Sequence, residues 1–241
     1  MKKTYYYAIT SIIILWIIMA IVINNPIVLP SPFDVLKAFV LLIINYKTWI
    51  IILMTLFRVI IALIISFFFS LLFATIAFKS EKFKDFFHAI YVILKTIPNI
   101  AIIIISLIWF GREGSIILIV FLVTFPIMYS SIMYGYLNID HSLILNTNTY
   151  EDNFMLKWKK IYLPLIRSNI LEALKNTLSL GLKVTVMSEL LAQVKVGIGK
   201  ELYFYKINLE MVEIFAWTII MIVVASIFDY LFNKIIDKFD I

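Results

Sequence analysis

The chain has 241 residues, 63% of them hydrophobic and 15% charged, with a mean hydropathy of +1.02. That is too apolar for a soluble core of this size to hide, so the sequence calls for a bilayer. Cysteine is absent and the two histidines, His88 and His141, stand far apart, which excludes a disulfide framework, a thiol nucleophile and a cysteine metal site. The formal charge of +6 comes with no basic run longer than two residues, which fits the cytoplasmic loops of a membrane protein and gives no ground for nucleic acid as a partner.

In chain order, Lys2-Lys3 precede an apolar stretch from Ala8 to Ile23, as in a signal peptide. The following Asn24-Asn25-Pro26-Ile27-Val28 lacks a small-x-small cleavage site, so an uncleaved first span over 8–24 is expected. Pro30 stops any helix arriving from upstream. Ser31 can then cap a new one, with Pro32 at its first position, Asp34 in its first turn, and Val35, Leu36, Phe39, Val40 and Ile43 at helical spacing. This predicts an interfacial helix over 32–45 on the outer face. A spanning helix needs about 20 mainly apolar residues, and five further stretches meet or approach that: 49–78, 86–110, 115–136, 168–191 and 207–232. The expected fold is therefore an all-α polytopic membrane protein of six spans, one domain over 1–241, with no internal repeat.

Orientation follows from the lysines and arginines of the loops. With the N-terminus inside, the inner segments hold eleven (Lys2, Lys3, Lys79, Lys82, Lys84, Lys157, Lys159, Lys160, Arg167, Lys234 and Lys238). The outer ones hold six (Lys37, Lys47, Arg112, Lys195, Lys200 and Lys206). Both termini are then cytoplasmic.

Inside the second span, Ala62, Ser66, Ser70 and Ala74 recur every four residues among bulky neighbours. Residues at that spacing share one helix face, and small ones let another backbone approach, so they predict a tight packing seam. A charge at a span centre costs about 2.5–3.5 kcal/mol unless it is paired, hydrated or able to snorkel. Arg58 and Lys95 have stems that can reach an interface, whereas the shorter Glu189, near the outer end of the fifth span, cannot reach as far. Glu172 and Lys175, three apart, predict a local ion pair. Pro98 and Pro126 interrupt the third and fourth spans and should bend them. No glycine loop, histidine pair or Ser-His-Asp set is present, so any ATP must be bound by another chain.

One internal stretch is wet: Leu145 to Pro164 carries two acids, three lysines and three asparagines. Asn148 or Thr149 can cap a short helix over about 147–158, with Glu151 and Asp152 in its first turn and Lys157, Lys159 and Lys160 at its far end. Phe154, Leu156 and Trp158 keep it partly apolar, and Leu163-Pro164 lead into the fifth span. An amphipathic cytoplasmic helix with exposed aromatics is best explained as a docking element.

Over nearly its whole length the chain resembles the inner-membrane permease subunits of bacterial ABC importers of the nitrate, sulfonate and taurine type. The resemblance rests on "LPSPFDVLKAF", on "TLFRVIIALIISFFFSLLFA" with Ala62, Ser70 and Ala74 at positions of family glycines, on "LKTIPNIAIIIISLIWFG", on "TFPIMYSSIMYGYLNID" with Gly135, and on "SELLAQVKVGIG" with Glu189, Gly197 and Gly199. The family's coupling signature is Glu-Ala-Ala, then Gly, then Leu-Pro. Spacing places it at Leu145-Asn146-Thr147, Glu151 and Leu163-Pro164, of which only Leu163-Pro164 matches.

The resemblance implies a type I ABC importer permease fold in a bacterial inner membrane. It further implies a second permease copy completing a homodimer, two ABC ATPase subunits that bind ATP and Mg, and an extracytoplasmic substrate-binding protein. No cofactor is expected in this chain, and no enzymatic activity. Glu151, Phe154, Trp158, Leu163 and Pro164 would then dock the ATPase, and Pro98, Glu189 and Gly197 would serve gating or the path. Family solutes are sulfonate- or nitrate-like anions, or vitamin precursors such as thiamine pyrimidines and riboflavin. The alternative is an ATPase-independent secondary transporter or channel, which would show inverted repeats or a dense intramembrane charge relay.

Overall fold

A computed structural model describes residues 2–140, 142–143 and 153–239. Every regular element among them is helical: α1 Lys2–Ile23, α2 Pro32–Ile44, α3 Tyr46–Lys79, α4 Glu81–Thr96, α5 Asn99–Leu137, α6 Phe154–Lys157, α7 Arg167–Ala192, α8 Ile198–Ile207 and α9 Met211–Phe239. A π-turn at Trp158–Tyr162 and a short turn at Leu163–Leu165 join α6 to α7.

The helix starts are set by short polar side chains. Ser31 accepts the Asp34 N–H and donates its hydroxyl to the Asp34 carboxylate at 2.6 Å, with Pro32 at the first helical position of α2. Asn45 caps α3 by accepting from Lys47 N–H, and Ser80 caps α4 by accepting from Phe83 N–H.

Among the described residues three helices, and not six, are long and apolar enough to cross a membrane: Tyr46–Lys79, Asn99–Leu137 and Met211–Lys234. The helix α1 forms over Lys2–Ile23 and covers the expected first span, its apolar part including Thr10–Ile23. The departures at 86–110 and 168–191 have local causes. The expected span 86–110 is two pieces, because Pro98 does more than bend it: α4 stops at Thr96, Ile97 is extended, and α5 begins at Asn99 with Pro98 at its cap. The rest of that span joins the expected fourth one in α5, whose helical backbone breaks at Gly111 (φ 64°, ψ −170°) and leaves two arms. The expected fifth span forms as α7, but Arg167, Glu172, Lys175, Lys183 and Glu189 make it too charged to qualify by composition.

The core is built by α3, the second arm of α5 and α7. The last two run antiparallel along each other: Gly135 backs onto Asn169 and Ser131 donates to the Asn169 carbonyl at one end, while Ile116 and Val120 cluster with Ala192 and Val194 at the other. Ala62, Ser66, Ser70 and Ala74 are all fully buried. Ser66 shares a 2.7 Å hydrogen bond with Thr124 and Ser70 donates to the Phe125 carbonyl at 3.0 Å, so this face of α3 lies against α5. Pro126 is buried on the α5 side. Near Ala74, a stack of Phe73, Phe83, Phe87, Phe125 and Tyr129 ties α4 to α3 and α5. The first helix is pinned through Trp16, which donates to the Pro30 carbonyl and lies 5.6 Å from the Phe215 ring of α9.

Candidate functional site

Two intramembrane charges that stand 131 residues apart in sequence meet in the structure. Arg58, one third of the way along α3, donates from Nη1 to Glu189 Oε1 at 2.6 Å. Their side chains are 4% and 0% exposed. Both charges therefore leave water together, which a membrane protein tolerates only when each is fully partnered.

Partnering here is complete. The second carboxylate oxygen of Glu189 accepts from the Thr55 hydroxyl and from the Gly199 N–H, each at 3.0 Å. Thr55 in turn accepts from the Ile198 N–H at 3.0 Å. Arg58 spends its remaining donors on the Val196 carbonyl at 2.9 Å and on both oxygens of Glu113 at 2.8 and 3.0 Å. Glu113 is two residues beyond the Gly111 break and 60% exposed, so it forms the open end of the cluster.

The loop between α7 and α8 is pressed into this cluster. A Cβ on Gly197 would lie 2.6 Å from the Glu189 carboxyl, and one on Gly199 would lie 2.3 Å from the Val186 carbonyl oxygen and 2.5 Å from the Leu190 nitrogen. Only glycine allows so close an approach, which gives the "VGIG" segment a packing reason for its two glycines. The whole arrangement ties α3, α5, α7 and the start of α8 at one end of the bundle. With each nitrogen of Arg58 and each carboxylate oxygen of Glu189 hydrogen-bonded, it is built to hold elements together. Among the described residues no group of three or more His, Asp or Glu could hold a metal ion.

Of the residues singled out in the sequence, Glu189 and Gly197 are in this cluster. Pro98 is exposed at the α4–α5 break, away from it. Arg58 does not snorkel; it is the centre of the cluster. Thr55 and Glu113 carry no mark in the sequence, and Gly199 is marked there only by the family resemblance, although one acid and one base in two spans are a signal that they should seek each other. Glu172 and Lys175 form no pair with each other. Both point away from the described bundle, as does Lys95, which lies over the Tyr91 ring at 5.9 Å.

At the other end of the bundle, the expected helix over about 147–158 falls largely outside the described residues, as does Glu151. Phe154 and Trp158 turn inward. The Trp158 indole donates to the Tyr136 hydroxyl at 2.7 Å, and Phe154 packs near Tyr162 with the Lys79 ammonium 4.8 Å from its ring centre. Together with Phe68, Leu71, Leu72, Thr75 and Met155 they line a hollow of about 210 Å³. Leu163 is half-buried against the aromatic cluster and Pro164 is exposed. The side chains presented outward are Met155 and Leu156, 65% and 39% exposed.

No protein-family model matches the chain. It is similar to the trimethylamine N-oxide transport system permease protein TmoV of Pelagibacter ubique (strain HTCC1062), with 24% identity over 156 residues that make up 64% of this chain. The matched region spans 22% of that protein's length. The apolar helices fit a membrane location.

Proposed function

We propose that the chain is the transmembrane permease subunit of an ATP-driven ABC importer, forming the translocation path for a small solute delivered by a binding protein. The observation that carries this reading is the similarity to a transport-system permease across 156 residues. The segments before and after the wet stretch, collinear with importer permeases in the sequence, support it further. In this reading two ATPase subunits bind ATP and Mg, a second permease copy completes the transmembrane unit, and the termini lie in the cytoplasm of a bacterium. The solute is a small polar molecule of the sulfonate, nitrate or vitamin-precursor kind, or an amine oxide like that named for the relative.

The bundle then works as two ends joined by rigid helices. Segment 153–165 receives the ATPase stroke, while the Arg58 cluster holds the opposite end of α3, α5 and α7 in register, so that a push at one end moves the other as a unit. Glu189 and Gly197 act through that clamp, and Pro98 and Gly111 are the places where the arms can change angle.

The test is co-purification. A tagged chain extracted from its own host's membranes in mild detergent should bring down an ABC ATPase, and vesicles holding the complex should take up solute only with ATP and binding protein. Extraction of a folded chain with no ATPase at any stoichiometry overturns the reading.

A further inference from the structure

The helix α7 is anomalous for its position. It packs along the second arm of α5 from Asn169 beside Gly135 to Ala192 beside Ile116, so it shares the depth of a helix long and apolar enough to span. Its Gly181 lies against Leu63, at the midpoint of the 34-residue α3. Lys183, two residues on, is therefore level with the middle of that candidate span, and half a hydrocarbon core, about 15 Å, is farther than a four-carbon stem can snorkel.

Lys183 nevertheless points out of the bundle. So do Ser168, Glu172, Lys175, Asn176 and Met187, which with Lys183 form one exposed stripe on the face of α7 opposite its buried Ala173, Thr177 and Thr185. None of the three charges has an ion-pair partner among the described residues, where the bridges are Arg58–Glu113, Arg58–Glu189 and Lys200–Glu201. Contrast Arg58 and Glu189, nearer one end of the bundle and yet paired with each other. A bare ammonium at mid-depth costs about 2.5–3.5 kcal/mol or more against lipid. It can face water.

We infer that the stripe of Glu172, Lys175, Asn176, Lys183 and Met187 borders a water-filled path, and that Lys183 sorts solutes there by charge. The stripe's net charge is positive, with the acid at its inner end and an ammonium alone at mid-depth. A narrow path with low-dielectric walls concentrates ions of the opposite sign. The inference needs only that α7 crosses the membrane. That the path carries the transported solute rests on the permease reading above.

The chain has no cysteine, so single cysteines report without a background. Asn176→Cys and Met187→Cys in the full chain, in native membrane vesicles, are reacted with anionic sulfonatoethyl and cationic trimethylammoniumethyl methanethiosulfonates. Ile222→Cys on the exposed apolar face of α9 serves as the lipid-facing control. Both stripe positions should react at least about tenfold faster than the control, with the anionic reagent favoured by about tenfold relative to free cysteine. Lys183→Gln should return that preference toward the free-thiol ratio without slowing the cationic reagent. Reaction no faster than at Ile222→Cys, or a preference untouched by Lys183→Gln, overturns the inference. So does protection from both reagents with disulfide dimers of Asn176→Cys, which would mean a stripe sealed against a second copy. Met187→Cys replaces one apolar side chain by another and keeps the test open if Asn176→Cys fails to reach the membrane. Reactive stripe cysteines in a chain that binds no ATPase would remove the importer reading alone, and unreactive ones in an ATPase-bound chain would remove this inference alone.

Discussion

Arg58 and Glu189 are worth more as a pair than either is alone. Removing one partner leaves a buried charge with nothing to balance it, so Arg58→Met and Glu189→Leu should each lower the stability of the detergent-solubilised chain by about 3–5 kcal/mol. The double variant, which replaces both charges by apolar side chains of similar size, should recover most of that loss; thermal unfolding of the four proteins in one detergent measures the cycle. Glu113 is 60% exposed, and Glu113→Gln should cost no more than about 1 kcal/mol. Glycine positions give a second cycle. The Cβ of Gly197→Ala meets the Glu189 carboxyl, so its loss should not add to that of Glu189→Ala, which removes the clashing atoms. Gly199→Ala meets backbone atoms that cannot swing aside and should prevent folded chain from accumulating. At this scale the sequence was half legible. It marked Glu189 and Gly197 as unusual and Arg58 as a charge in a span. It did not show that α3 and α7 lie side by side, which is a fact of packing, and without it a long-stemmed arginine reads as a snorkelling one.

The elements follow their local signals where those signals are backbone chemistry. Ser31, Pro32 and Asp34 specify the start of α2 because a hydroxyl, a fixed φ and an acid each satisfy the first turn. The four-residue recurrence of Ala62, Ser66, Ser70 and Ala74 marks the face of α3 that lies against α5, because small side chains are what close helix approach requires. Ala62→Leu should wedge that seam open and cost about 1–3 kcal/mol. Hydropathy alone misjudged the boundaries around Pro98 and Gly111. It treated 86–110 as one span, since a long apolar run carries no marker of direction, whereas the proline forces Ile97 to be extended and the glycine takes a backbone conformation that side chains resist. A Cβ at Gly111 would touch nothing within 4 Å, so Gly111→Ala isolates backbone strain from packing. The expected loss is about 1–3 kcal/mol, read in the same unfolding assay, with the two arms of α5 settling at a changed angle that a spin-label distance between residues 104 and 127 would report. α7 was found in the sequence as a span but fails as an apolar helix. Its charges made it legible as an exception and hid why it is one.

Across the whole molecule, the question is how an ATPase stroke would enter. The docking role expected of Phe154 and Trp158 rested on aromatic side chains standing exposed in a wet loop, and among the described residues those two rings instead anchor the segment to the bundle through Tyr136, Tyr162 and Lys79. Met155, at the open rim of the hollow, and Leu156 are the more exposed apolar side chains of this turn, while Phe154 and Trp158 are half-buried. The π-turn at Trp158–Tyr162 and the short turn at Leu163–Leu165 then lead through Ile166 into α7, so a force applied at Met155 would reach the Arg58 cluster along α7. Two kinds of variant separate anchoring from docking. Trp158→Phe removes the hydrogen bond to Tyr136 and part of the ring's packing, and should lower stability by about 1–3 kcal/mol while leaving ATPase recovery unchanged at low temperature. Met155→Asp with Leu156→Asp should leave unfolding of the isolated chain within about 0.5 kcal/mol of the parent, since both side chains are already exposed, yet cut ATPase co-purification by about tenfold or more. Full ATPase recovery with that double variant would mean that the stroke enters elsewhere, and that segment 153–165 braces the bundle and does not drive it.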